Sequence, residues 1–359
     1  MINVLVVEDS RVIRDYLVFV LEADPDIRVM GTVDSGEAAL EFLGNHRPDV
    51  ILMDIHMPGI DGFETTRQIM SSHPVPIVVC TASTHFEQVH TAMHALEAGA
   101  LAVMKKPSGL ADPDAETESA DIIKTLKLMS EVKVVRRWNK ARAPSALAAP
   151  ALTEPVLFDA AGDGAAIVAI GASTGGPPAI FQILSGLSTA FPIPILIVQH
   201  ISAGFTAGFA EWLATASGLP VHVTHGGESP LPGHVYVAPD DHHLRIGPRG
   251  ELETTQDAPH NGLRPSVGVL FRSVAERFGR RAIGVLLTGM GRDGAEELKL
   301  MADRGALTVA QDEESCVVFG MPAEAIKLGA ARFIFPPLKI GELLSTVGRR
   351  GVSKGCIDG

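Results

Sequence analysis

From Asn3 onward, short apolar runs alternate with stretches whose apolar residues recur at helical spacing. The runs are NVLVV, RVMGTV, VILMD, PIVVCTA and ALAVMKK, and the last helical pattern ends near Lys127. Strand-length runs divided by amphipathic helices predict βαβ units, and βαβ units predict a parallel sheet covered by helices. The pattern fails from about Arg137. Residues 141–163, ARAPSALAAPALTEPVLFDAAGD, are rich in Ala and Pro with little period, which predicts a linker. A second series opens at Ala166 with AIVAIG, IPILIVQH, PVHVTH, HVYVAP, HLRIG, AIGVLLTG, LTVAQD and CVVFG. Helical stretches, such as 177–185 and 294–305, separate most of these runs. Residues 220–254 lack long helical patterns and predict short strands and turns. The expected division is residues 1–127, a connecting segment 128–163 (a helix end and the linker), residues 164–350, and a tail 351–359. Each half is expected to be a doubly wound α/β domain, flavodoxin-like in the first and Rossmann-like in the second.

A length of 359 residues fits two domains of ordinary size. No unbroken apolar run reaches 18 residues, so no transmembrane helix is expected. The opening MINVLVVEDSRVIRDYL lacks the basic region and long apolar region of a secretory signal and reads as a first strand. Cys80, Cys316 and Cys356 are too few and scattered for a disulfide framework or zinc site. These features point to the cytoplasm. The net charge of −12 is uneven: residues 1–130 carry −11 and residues 164–359 only −2. Without a basic stripe, nucleic acid is not an expected partner.

In the first half each strand end carries a polar residue: Glu8 and Asp9, then Asp54, Thr81 and Lys106. Ligands of open parallel sheets bind at the carboxyl ends of strands. Three carboxylates there suit a hard cation such as Mg²⁺. The cation and a lysine would offset the charge of a phosphoryl group, and Thr81 could hydrogen-bond it. Solvated loop acids would explain Glu8 and Asp9 as well, but not all four positions together.

The motifs VVEDS, LMDIHMPGIDG, CTAS and KKP resemble the four signatures of the response-regulator receiver family. That resemblance implies phosphorylation of Asp54 by a histidine kinase. It implies Mg²⁺ held by Asp9, Asp54 and the His56 carbonyl with help from Glu8. It also implies phosphate contacts from Thr81 and Lys106, and a cis bond before Pro107. The family's aromatic switch position falls on Val103.

In the second half, Gly171-Ala-Ser-Thr-Gly175 fits G-x-S-x-G, a tight strand-to-helix turn that exposes a serine. It does not fit the dinucleotide pattern G-x-G-x-x-G. Taken alone, a helix cap by Ser173 or Thr174 is the simpler role. Two other strands change the balance, since IPILIVQH runs into His200 and AIGVLLTGMGRDG ends near Asp293. If these strands are parallel neighbours, Ser173, His200 and Asp293 share one edge. A serine, a histidine to take its proton and a carboxylate to orient the ring are the parts of an activated nucleophile. Their order, Ser-His-Asp, is not that of the α/β-hydrolases. His222, His225, His234, His242, His243 and His260 show no metal-ligand spacing and read as loop or core residues.

IGASTGGPPAI, IVQHI, PGHVYVAPDDHHL, LRPSVGVLFRSVA, LLTGMGRDGA and AQDEESCVVFGMPAEAI together resemble the chemotaxis protein-glutamate methylesterase family, CheB. The resemblance implies a Ser-His-Asp esterase with Ser173 as nucleophile, His200 as base and Asp293 as orienting acid. It gives the Met290 backbone N–H as an oxyanion donor, and analogy with other serine hydrolases adds that of Thr174. The implied substrates are glutamate methyl esters of chemoreceptors, with receptor glutamines open to deamidation by the same attack. No cofactor is implied for the esterase reaction. The receiver is implied to cover the catalytic face until phosphorylated. Arg272, Arg277, Arg280 or Arg281 could meet the acidic receiver, although a solvated basic helix face is the simpler reading.

The chain departs from the family pattern at Gly268, where aspartate is usual, and at Ala323, where a basic residue is. Ser202-Ala203 replaces a proline pair, and Trp212 stands where arginine is common. Such changes point to an altered receptor surface or a pathway other than flagellar chemotaxis. They leave open a second reading, a phosphorylation-gated receptor adaptor with little catalysis. A receiver-controlled DNA-binding regulator has little support from the charge.

Overall fold

The computed structural model describes residues 1–81, 94–107, 115–132, 134 and 165–352. The Ala/Pro-rich segment 141–163, most of the expected tail and Cys356 lie outside these residues.

The first sheet contains β1 (Ile2–Val7), β2 (Ile27–Val33), β3 (Val50–Asp54), β4 (Ile77–Thr81) and β5 (Ala102–Lys105). Its order is β2-β1-β3-β4-β5, with every neighbouring pair parallel. This is the flavodoxin-like order expected from the alternating pattern. β3 and β4 are buried at every position, as continuous apolar strands covered on both faces must be. The helices begin where small polar residues can accept a terminal N–H. Ser35 caps Gly36–Asn45 through the N–H of Ala38, and Asp61 caps Gly62–Ser72 through that of Glu64. The helix Ala115–Ser130 runs slightly past the expected boundary at Lys127.

The second half supplies β6 (Ile167–Ala172), β7 (Ile195–Gln199), β8 (Val221–Val223), β9 (Val235–Val237), β10 (His243–Ile246), β11 (Leu252–Thr255), β12 (Ala282–Leu286), β13 (Leu307–Gln311) and β14 (Phe333–Phe335). β10 and β11 form an antiparallel hairpin. The other seven make a parallel sheet ordered β14-β13-β12-β6-β7-β9-β8. From β6 the chain builds outward through β7, then returns to lay β12 on the other side. The strand order therefore reverses at β6, and such a reversal opens a crevice at the carboxyl ends of the strands. Ser173 follows β6 directly.

CVVFG, expected as a strand, is a loop whose ladder is a single bridge between Gly289 and Phe319. Its backbone groups are met by a side chain instead: Val317 and Val318 donate to Thr288 Oγ1 at 3.1 and 3.0 Å. The bond before Pro107 is not cis; among the described residues the one cis peptide precedes Pro265.

The two halves touch. Trp212 Nε1 donates to Glu97 Oε1 at 3.0 Å, and Ser202 Oγ to the Val103 carbonyl at 3.5 Å. A cavity of about 350 Å³ lies between them, lined by Val103, Lys124 and Leu128 on one side and Ser173, His200 and Ser202 on the other. Arg272 instead bonds Glu297 of its own half at 2.7 Å.

Candidate active site

The turn after β6 is built from close contacts that only small residues allow. Gly175 adopts φ +77°, and a β-carbon there would lie 2.4 Å from Val317 Cβ. Gly175 is itself the N-cap of the helix Gly176–Ser185, with no side-chain cap bond. Neither Ser173 nor Thr174 therefore caps that helix. Among the described residues the Ser173 hydroxyl makes no hydrogen bond, while the Ser173 N–H donates to the Thr288 carbonyl at 3.0 Å. Thr288 Oγ1 in turn donates to the Thr174 carbonyl at 2.9 Å. β12 thus fixes the serine turn through one buried threonine.

Gln199 fixes it from the other side. Its Nε2 donates to the carbonyls of Ser173 and His200, at 2.8 and 2.7 Å. Among the described residues its Oε1 is buried without a conventional partner and faces the Gly176 Cα, where a β-carbon would be only 2.0 Å away. A Cα–H donor is a weak partner for that oxygen. The ends of β6 and β7 are therefore pinned together by one carboxamide.

His200 Nε2 lies 3.1 Å from Asp293 Oδ2. A carboxylate only accepts, so Nε2 carries the proton and Nδ1 is left with its lone pair. Asp293 is buried at 2% exposure. It sits at the N-terminus of the helix Val267–Phe278, taking bonds from Ser266 Oγ (2.7 Å), Val267 N (2.7 Å) and Gly268 N (3.2 Å). Helix N-termini favour negative charge. Burial alone would push the Asp293 carboxyl up, but the hydrogen bond and charge of His200, then Ser266 and the Val267 N–H, hold it below the ordinary range. Ser266 gave no sequence signal beyond its place just before that helix. In hindsight, a cap serine followed by apolar helix is that signal.

Met290 follows Gly289, whose added β-carbon would meet Ser173 Cβ at 2.6 Å. Among the described residues, the N–H groups of Thr174 and Met290 donate to no acceptor. The structure thus places Ser173, His200 and Asp293 at the ends of β6, β7 and β12, with two free amides in the adjoining turns.

At the other end of the chain, Glu8, Asp9 and Asp54 present carboxylate oxygens all within 4.8 Å of one another. Glu8 and Asp54 are buried, and Lys106 reaches both at 2.6 and 2.9 Å. Burial drives the Glu8 carboxyl up, and the Lys106 bond offsets only part of that rise. Burial would lower the Lys106 amine, but its bond to Glu8 and the charge of Asp54 outweigh it and hold the amine above its usual range. His56 N donates to Asp54 Oδ1 at 3.4 Å. Thr81 is buried at the end of β4, on the strand beside Asp54. An all-oxygen set of three carboxylates fits Mg²⁺.

Residues 168–344 match the family model described as CheB methylesterase, and residues 4–115 that of the response regulator receiver domain. The chain is 52% identical over 355 residues to the protein-glutamate methylesterase/protein-glutamine glutaminase of Nitrosospira multiformis, covering 99% of each chain. It is 49% identical to protein-glutamate methylesterase/protein-glutamine glutaminase 1 of Syntrophus aciditrophicus, over 96% of this chain and 97% of that one. This chain belongs to the CheB methylesterase family. Among solved structures, the catalytic domain of Thermotoga maritima CheB is 39% identical with a TM-score of 0.49, covering 51% of this chain and 98% of that one.

Apart from Ala323, on the helix Met321–Lys327, the chain's departures from the family patterns fall in two places. Val103, Ser202 and Ala203 line the cavity between the halves, and Trp212 reaches Glu97 across the same boundary. These positions lie at the boundary between the two halves. Gly268 lies behind Asp293, against Glu297 and His260. No helix among the described residues is long and apolar enough to cross a membrane.

Proposed function

We propose that this chain is a phosphorylation-gated serine esterase that hydrolyses glutamate γ-methyl esters of chemoreceptors and deamidates receptor glutamines. The observation that carries the reading is the His200–Asp293 pair, anchored at a buried helix N-terminus beside the strand that presents Ser173. Ser173 Oγ attacks the side-chain carbonyl. Because Nε2 is committed to Asp293, His200 takes the serine proton on Nδ1. Catalytic hydrogen bonds of a free enzyme are often long and close only around substrate, which fits the unbonded serine hydroxyl.

The tetrahedral oxyanion is received by the free N–H groups of Met290 and Thr174; one such donor is typically worth about 2.7–4 kcal/mol. His200 returns the proton to the departing methanol, or to ammonia from a glutamine. Water, activated by the same imidazole, then releases glutamate from Ser173. Asp293 orients the ring and stabilises its charged form.

The receiver half governs access. Asp54 accepts phosphate from the histidine kinase of the system. Glu8, Asp9 and Asp54, with the His56 carbonyl, would hold Mg²⁺, which supplies charge neutralisation for that transfer. Thr81 and Lys106 meet the bound phosphate. The cavity shared by both halves supports a receiver that closes over Ser173 before phosphorylation. The test is methanol release from methyl-esterified receptor, with and without a small phosphodonor. Ser173→Ala should abolish it, and Asp54→Asn should keep the basal rate and lose stimulation. Equal release by wild type and Ser173→Ala would overturn the esterase reading.

A further inference from the structure

The carboxylate proposed to orient His200 has a second histidine behind it. His260 Nδ1 lies 3.2 Å from Ser266 Oγ and 3.8 Å from Asp293 Oδ1. Its Nε2 lies 3.9 Å from Oε1 of Glu297, a carboxylate only 5% exposed. The approach depends on Gly268. A β-carbon there would stand 2.8 Å from Glu297 Oε2 and 3.0 Å from His260 Cε1, so any larger residue would push both away.

The proton positions follow from counting donors. Ser266 has one hydroxyl proton, and Asp293 at 2.7 Å can only accept it. Ser266 Oγ is therefore an acceptor toward both Gly268 N and His260. With its proton on Nδ1, His260 donates there. In the neutral ring the Nε2 lone pair then faces the Glu297 carboxylate, which repels it. Adding a proton at Nε2 turns that contact into an attraction and places a cation between two buried carboxylates.

Arg272 bonds Glu297 Oε1 at 2.7 Å. His243 accepts the Ser266 N–H on Nδ1 at 3.2 Å and faces the Ala258 carbonyl with Nε2 at 3.2 Å, so its single proton sits on Nε2. Asn261 Nδ2 is 3.4 Å from His260 Nδ1, and the shorter contact of that nitrogen, to Ser266 Oγ at 3.2 Å, decides the tautomer.

We propose that His260 is a positioning residue for the reaction, acting on Asp293 through the Ser266 hydroxyl and, when doubly protonated, through its charge. This rests on the reading of Ser173, His200 and Asp293 given above. A cation 3.8 Å from Asp293 competes with the charged His200 ring for the same carboxylate and so weakens His200 as a base. Because His260 reaches the reacting atoms only through Asp293, its effect falls on kcat and leaves KM alone.

The test is methanol release from methyl-esterified receptor by the full chain with phosphodonor, with kcat and KM determined separately. Ser173→Ala comes first, since activity in that variant sinks the underlying reading and not this one. His260→Ala, which leaves Ser266 short of a partner, should lower kcat about fivefold, or about 1 kcal/mol, with KM unchanged. Asparagine can offer a donor near the place of Nδ1, so His260→Asn should recover kcat to within about twofold of wild type. Should the alanine variant fail to fold, His260→Leu, which fills the space without a donor, takes its place. Wild-type kcat in the variant without a donor, or no recovery in His260→Asn, would overturn the proposal.

Discussion

Trp212 of the methylesterase half donates its indole N–H to Glu97 of the receiver half at 3.0 Å. The ring itself is buried, packed against Phe181 and Phe209. His94 holds the other oxygen of the same carboxylate at 2.9 Å. A rigid donor on one half thus meets a pre-oriented acceptor on the other. Trp212→Phe keeps most of the packing and removes the bond, which is worth about 1 kcal/mol. Basal methanol release should rise about fivefold, while the phosphodonor-stimulated rate stays the same. A basal rate equal to wild type would show that this bond does not hold the halves together.

The Asp293 carboxyl is held below its ordinary range by His200, Ser266 and the Val267 N–H, against the opposing effect of burial. A carboxylate depressed in the folded state adds stability above its unfolded value, about 3.9, and that contribution fades as pH falls through the lower folded value. Asp293→Asn removes the contribution at every pH. Urea unfolding should therefore show wild type losing its advantage over the variant as pH drops below about 4. Activity should fall far more, by roughly 10⁴-fold at pH 7, because an amide favours the wrong ring tautomer. A pH-independent stability gap between the two proteins would contradict the assignment of the depressed group.

Much of this site was legible before any coordinates, for an identifiable reason. β6, β7 and β12 are buried at every position, so each reads as an unbroken apolar run, and the residue after each run stands out. Ser173 and His200 follow their strands directly, and Asp293 closes a glycine-rich turn. What stayed hidden depends on contacts between distant segments. Thr288 meets the 317–318 backbone, Gln199 ties two carbonyls, and Ser266 reaches Asp293; none of these leaves a periodic trace. CVVFG misled for the complementary reason. Its composition suits a strand, but its N–H groups bond a threonine side chain. The short strand Phe333–Phe335 was missed because Pro336 and Pro337 follow it directly and read as a loop.

Lys106 stands between Glu8 and Asp54, itself only 8% exposed. Its amine is held above the usual range despite burial, so its stabilising effect persists through neutral pH and is lost only as strongly alkaline pH deprotonates it. Lys106→Met leaves two buried carboxylates uncompensated, a change that typically costs about 3–5 kcal/mol. The receiver should unfold at lower urea in the variant. Added Mg²⁺ should restore part of the loss, because a cation at Glu8, Asp9 and Asp54 replaces the missing charge. No recovery with Mg²⁺ would count against that cluster as the cation site.

Gly289 approaches the serine turn more closely than any side chain would permit. An added β-carbon would stand 2.6 Å from Ser173 Cβ, 3.2 Å from Ser173 N and 2.5 Å from Met321 Sδ. Met321 can swing aside, but the Ser173 backbone is fixed by Thr288 and Gln199. In Gly289→Ala the serine must move, and the Met290 N–H moves with the altered turn. A displacement near 1 Å can cost about 10²-fold in rate. The variant should stay folded, since the strain is local, with methanol release down about 100-fold through kcat and receptor binding nearly unchanged. Near wild-type turnover would mean that the turn yields elsewhere and that the placement of Ser173 against Met290 is not what limits the reaction.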